Sequence, residues 1–124
     1  MAKVLVVEDD VDVRGLAETR LRRQGHRVVS VGLGEEALAA IAEKGAPEVA
    51  VLTVLMPGMN GLDLLRTLRD DPWIADVQAV FLSGGIHESD IEAGRALGAS
   101  YLTKPLVLSA LAAAAERSAG SAGR

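Results

Sequence analysis

The stretch Val49-Ala50-Val51-Leu52-Thr53-Val54-Leu55-Met56-Pro57-Gly58-Met59-Asn60-Gly61 contains the change of rhythm that decides the fold. Val49 to Thr53 is apolar or β-branched at every position, without the polar alternation of a strand that has one wet face. It therefore reads as a strand covered on both sides. Met56 to Gly61 is rich in turn formers and reads as a long functional loop. From Leu62 to Arg69 the leucines at 62, 65 and 68 fall on one helical face. A buried strand, a loop and an amphipathic helix in that order form one βα unit of a parallel sheet.

The same unit recurs on both sides. Toward the N-terminus, Val4 to Val7 reads as a strand ending at Glu8-Asp9-Asp10. Val11 to Gln24 follows as a helix with Val13, Leu16, Ala17 and Leu21 at helical spacing, and Gly25 is placed to close it. Arg27 to Val31 is the second strand and Glu35 to Lys44 the second helix, stopped by Gly45-Ala46-Pro47. Toward the C-terminus, Ala79 to Leu82 is a fourth strand, Glu88 to Leu97 a fourth helix closed by Gly98, and Ser100 to Thr103 a fifth strand. After Pro105 a fifth helix is expected from Leu106 to Arg117, with residues 118–124 a flexible tail or the start of a linker. Five such units imply an α/β fold: a doubly wound, flavodoxin-like five-stranded parallel sheet of order 2-1-3-4-5 with five helices.

Composition narrows the function classes. At 124 residues the chain is expected to form one domain over residues 1–117. It contains no cysteine, which excludes disulfides, thiolate metal sites and cysteine nucleophiles. Hydrophobic residues make up 49% of the chain, but no apolar run approaches the ~18 residues of a membrane span. Met1-Ala2-Lys3 followed by Val4 to Val7 lacks the apolar core and cleavage site of a signal peptide. A net charge of −4 disfavours a nucleic-acid partner. A cytoplasmic setting with no membrane contact is expected.

In an open α/β sheet, ligands bind outside the carboxyl ends of the strands. The residues found there are Glu8, Asp9, Asp10, Thr53, Ser83 and Lys104. Carboxylates crowded after the first strand repel one another, which a divalent cation such as magnesium or a lysine relieves. The acidic residues equally suit the N-terminus of the first helix as caps. On the residues alone both readings stand. Lys104 precedes Pro105, which biases it toward an extended conformation in line with its strand. Ser83 ends the fourth strand and can offer a hydroxyl to an oxyanion, or merely begin a turn.

Val-Leu-Val-Val-Glu-Asp-Asp at 4 to 10, Met-Pro-Gly-Met-Asn-Gly at 56 to 61, Ser83-Gly84, and Gly-Ala-Ser-Tyr-Leu-Thr-Lys-Pro at 98 to 105 together resemble the receiver domains of two-component response regulators. The resemblance covers nearly the whole chain in the right order. It implies that Glu8 and Asp9 match the acidic pair holding magnesium, with Glu8 where aspartate is more usual. It further implies that Lys104 contacts the phosphoryl group, that Ser83 is the hydroxyl residue that moves to meet it, and that Tyr101 is the aromatic switch residue. Partners implied are a histidine kinase or other signalling proteins, with a homodimer through the fourth helix, fifth strand and fifth helix. Such a module regulates by protein binding and is not an enzyme.

One position departs from the resemblance. The phospho-accepting aspartate should stand four residues before Pro57, where this chain has Thr53. A carboxylate is ionised at neutral pH and can attack a phosphohistidine, whereas a threonine hydroxyl needs a general base. The substitution also removes one carboxylate from the magnesium shell, so a weakened Mg2+ site is expected. Three accounts of Thr53 follow: an atypical pseudo-receiver, an engineered variant locked in its unphosphorylated state, or a threonine phosphorylated by a Ser/Thr kinase. A flavodoxin-like enzyme is the reading from another class. It is disfavoured because Glu8-Asp9-Asp10 replaces the hydroxyl- and glycine-rich loop that would hold a flavin phosphate.

Overall fold

The structure, a computed structural model, describes residues 2–54, 58–83 and 88–103. Its elements alternate as β1 (Lys3–Val7), α1 (Val11–Arg23), β2 (Arg27–Val31), α2 (Gly34–Lys44), β3 (Val49–Thr53), α3 (Gly61–Asp70), β4 (Gln78–Ser83), α4 (Glu88–Ala96) and β5 (Ser100–Thr103). All strand pairs are parallel, in the order β2-β1-β3-β4-β5 expected of a doubly wound sheet. The expected fifth helix and the tail lie outside the described residues, as does Lys104.

The pleat divides the strand side chains between two cores. Leu5, Val7, Ala50, Leu52, Ala79 and Phe81 point to the face on which α3 lays Leu62, Leu64, Leu65 and Leu68. Val4, Val6, Val49, Val51, Val80 and Leu82 point the other way, where α1 supplies Ala17 and Leu21. Residues two apart share a face in a strand, so a continuous apolar run serves both cores at once. All five residues of β3 are buried, consistent with its place at the centre of the sheet.

Two helix ends show why the boundaries fall where they do. After α1, Gly25 takes φ +89°, its N–H donates to Arg22 O at 3.0 Å, and His26 N–H donates to Leu21 O at 3.2 Å. After α4, Gly98 takes φ +83° with the same pair of bonds, Gly98 N–H to Arg95 O and Ala99 N–H to Gly94 O. Both are Schellman closures, which need a left-handed residue that glycine adopts without a Cβ penalty. At the other ends, α2 and α3 begin one residue earlier than side-chain periodicity indicates, at Gly34 and Gly61. Glycine carries no hydrophobic signal, so periodicity passes over it.

Candidate functional site

The register of the sheet assembles the site. Val7 pairs with Leu52, so one step further Glu8 stands level with Thr53. Thr53 pairs with Leu82, which puts Ser83 one residue beyond it, and Ser83 pairs in turn with Thr103, the residue before Lys104. Glu8, Thr53 and Ser83 thus come from three neighbouring strands to one carboxyl edge. Tyr101 pairs with Phe81 on β5. The side chains of Ser83 and Tyr101 lie outside the described residues, as does the whole of Lys104.

Glu8 is 0% exposed. Its backbone continues the sheet by donating to Val31 O at 3.0 Å, its carbonyl accepts from Arg14 Nη1 at 3.1 Å, and its Oε2 accepts from Asp10 N–H at 3.3 Å. Asp9 is exposed. Asp10 is the N-cap of α1: its Oδ1 accepts from the N–H groups of Asp12 at 2.9 Å and Val13 at 3.1 Å. The acidic run therefore has divided duties. Asp10 satisfies orphan donors and favours the positive helix end, while Glu8 and Asp9 are left at the sheet edge. Arg14 was not singled out from the sequence, where it reads as one more solvated cation on α1.

Thr53 is 4% exposed, and among the described residues its Oγ1 has no hydrogen-bond partner. A buried hydroxyl without a partner costs about 1–3 kcal/mol. The β-branched shape suits a strand end, but packing alone would be served better by valine. The loop after Thr53 returns closely onto it. Gly61 N–H donates to Val54 O at 2.9 Å, and a Cβ at Gly61 would lie 2.2 Å from Thr53 O and 2.9 Å from Phe81 Cε1. Met59, on the same loop, packs against Gly34 at the start of α2, where an added Cβ would meet its side chain at 3.1 Å. The turn signal at 56–61 was legible from sequence; the need for glycine at 61 came only from the approach of β3.

No group of three or more histidine, aspartate or glutamate side chains placed to hold a metal occurs among the described residues. Magnesium needs only one or two carboxylates, with water completing its octahedron. Glu8 and Asp9 supply that minimum, and Thr53 adds a neutral oxygen where a third carboxylate would strengthen the site. Two carboxylates and a neutral hydroxyl are donor types that magnesium accepts. No helix among the described residues is long and apolar enough to cross a membrane.

Comparison with known proteins agrees with this geometry. The family model described as response regulator receiver domain matches residues 4–116. The transcriptional regulatory protein AfsQ1 of Streptomyces coelicolor is 33% identical over 107 residues, covering 86% of this chain and 46% of that protein. The chain thus spans about half the length of the curated relatives it matches. Among solved structures, a putative response regulator from Chloroflexus aurantiacus aligns with a TM-score of 0.88 at 30% identity, over 96% of this chain and 98% of the other. The chemotaxis protein CheY4 of Vibrio cholerae aligns with a TM-score of 0.86 at 28% identity, over 94% and 98%.

Proposed function

Because the chain belongs to the response regulator receiver domain family, we propose that it is a cytoplasmic two-component signalling module whose usual covalent switch is missing, a pseudo-receiver acting by protein binding and not as an enzyme. The observation that carries this reading is the buried hydroxyl of Thr53 at the end of β3, level with Glu8 and without a partner among the described residues. In the family this place belongs to an aspartate. A carboxylate there is an ionised nucleophile; the Thr53 hydroxyl is neutral, and general-base help from Glu8 would remove a magnesium ligand.

Within this reading Glu8 and Asp9 would hold magnesium, which when bound neutralises phosphoryl charge at the site. Ser83 and Lys104 keep the roles of phosphoryl contacts and Tyr101 that of the switch aromatic, without an acyl phosphate to respond to. Histidine kinases and other signalling proteins remain the partner class, and self-association through α4, β5 and the segment after Pro105 belongs to the same proposal. Phosphorylation of Thr53 by a Ser/Thr kinase is the weaker alternative, because a hydroxyl buried at a strand end is not presented as extended peptide.

The test is to incubate the protein with magnesium and a small-molecule phosphodonor, then record intact mass. No phosphoprotein is expected from this chain, and an acyl phosphate is expected from Thr53→Asp. Stable phosphorylation of the unaltered chain would overturn the proposal.

A further inference from the structure

The loop between α3 and β4 carries a feature that the strand-end site does not use. Trp73, the single tryptophan of the chain, is 90% exposed. Its platform is tied down. Trp73 N–H donates to Asp71 Oδ1 at 3.0 Å, Ile74 N–H to Asp71 O at 3.0 Å, and Val77 N–H to Ile74 O at 3.1 Å. The neighbouring Ile74 packs against the core, and Arg69 Nη1 donates to the carbonyls of Ala75 at 2.7 Å and Val77 at 2.5 Å. The indole thus projects from an ordered turn, so covering it would demand little further ordering.

The exposed charges that immediately precede it are both acidic. Asp70 and Asp71 precede Trp73 and are exposed, and neither enters an ion pair among the described residues. The nearby cations are engaged elsewhere: Arg69 serves backbone carbonyls and faces Asp76, and Arg66 pairs with Asp63 at 3.4 Å. A nucleic acid, an anionic membrane or an acidic peptide would be repelled here. A lysine or arginine side chain can lay its cation on the indole face and its stem along the apolar surface, with the carboxylates neutralising it.

We propose that the 70–77 loop is a docking surface for a basic segment of a partner protein, with Trp73 as its anchor and Asp70 and Asp71 as its complementary charge. The loop immediately precedes Gln78, at the amino ends of the strands. It stands at the opposite edge of the sheet from Glu8 and Thr53 and operates whatever the state of Thr53.

Trp73 itself reports the outcome, being the only indole. A dye-labelled peptide of alternating arginine and leucine is titrated into the full chain, with an alternating glutamate and leucine peptide as control. The basic peptide is expected to shift Trp73 emission to the blue, reduce its quenching by acrylamide, and bind more weakly as salt rises. By dye anisotropy, Trp73→Ala should weaken binding by about tenfold or more, Trp73→Phe by less, and Asp70→Asn with Asp71→Asn severalfold, all with unchanged thermal stability. The proposal fails if Trp73→Ala binds as tightly as the parent, if the acidic peptide binds equally well, or if the indole is already protected by self-association without peptide.

Discussion

Gly61 lies against Thr53 so closely that a single added carbon would stand 2.2 Å from the Thr53 carbonyl oxygen. The obstacle is backbone of the central strand, which cannot rotate away. Gly61→Ala must therefore shift α3 or β3, and overpacking of this kind costs about 1–3 kcal/mol. The loss should appear as a lower denaturant midpoint with an unchanged slope. Gly34→Ala meets only the flexible side chain of Met59 at 3.1 Å and should cost less. Equal losses at the two positions would contradict this distinction.

Thr53→Val keeps the strand-end shape and removes the unpartnered hydroxyl. Stability should hold or rise by about 1 kcal/mol, read as a higher melting temperature. A clear fall would show that Oγ1 has a partner beyond the described residues. Thr53→Asp restores a carboxylate to the edge occupied by Glu8 and Asp9, so millimolar magnesium should raise its melting temperature more than that of the unaltered chain.

Arg69 joins three carbonyls, donating from Nε to Leu97 at 2.8 Å and from Nη1 to Ala75 and Val77. It thereby ties the end of α3 to the end of α4 and the start of β4. Arg69→Ala leaves those acceptors without their donor and should destabilise by about 2–3 kcal/mol, measured by chemical denaturation. Burial lowers the guanidinium from its ordinary value, with Asp76 opposing the change. The folded state thus releases this proton more readily than the unfolded chain, so the linked stability rises with pH only as the group titrates, far above neutrality. The pH dependence of stability between pH 6 and 8 should therefore carry no contribution from Arg69.

Asp10→Ala removes the acceptor for Asp12 N–H and Val13 N–H and should cost about 1 kcal/mol through the lost cap. If Asp10 serves only the helix, magnesium affinity of the Thr53→Asp background should be unaffected by adding this change. A joint loss of cap and metal would give Asp10 a second role.

Each described strand and helix, and the closures at Gly25 and Gly98, were legible in the chain because each rests on local rules: two-residue and 3.6-residue periodicity, and glycine where φ must be positive. The strand order followed from the short right-handed connections between successive strands. The pairing of Glu8 with the level of Thr53 was also within reach once the order 2-1-3-4-5 was inferred. The division of labour among Glu8, Asp9 and Asp10 was not. Three adjacent carboxylates look alike in sequence, and only the turn from β1 into α1 buries the first, exposes the second and makes the third a cap.

Sequence by itself determined the parallel α/β architecture and the absence of a carboxylate at position 53, since both follow from residue type and local pattern. Tertiary structure decided that the Thr53 hydroxyl is buried without a partner among the described residues, that only glycine fits at 61, and that Arg69 holds the platform from which Trp73 projects. The reason is physical. These properties depend on how close distant backbone segments come, Arg69 and Leu97 being 28 residues apart, and packing distances of a few ångströms leave no trace in local periodicity.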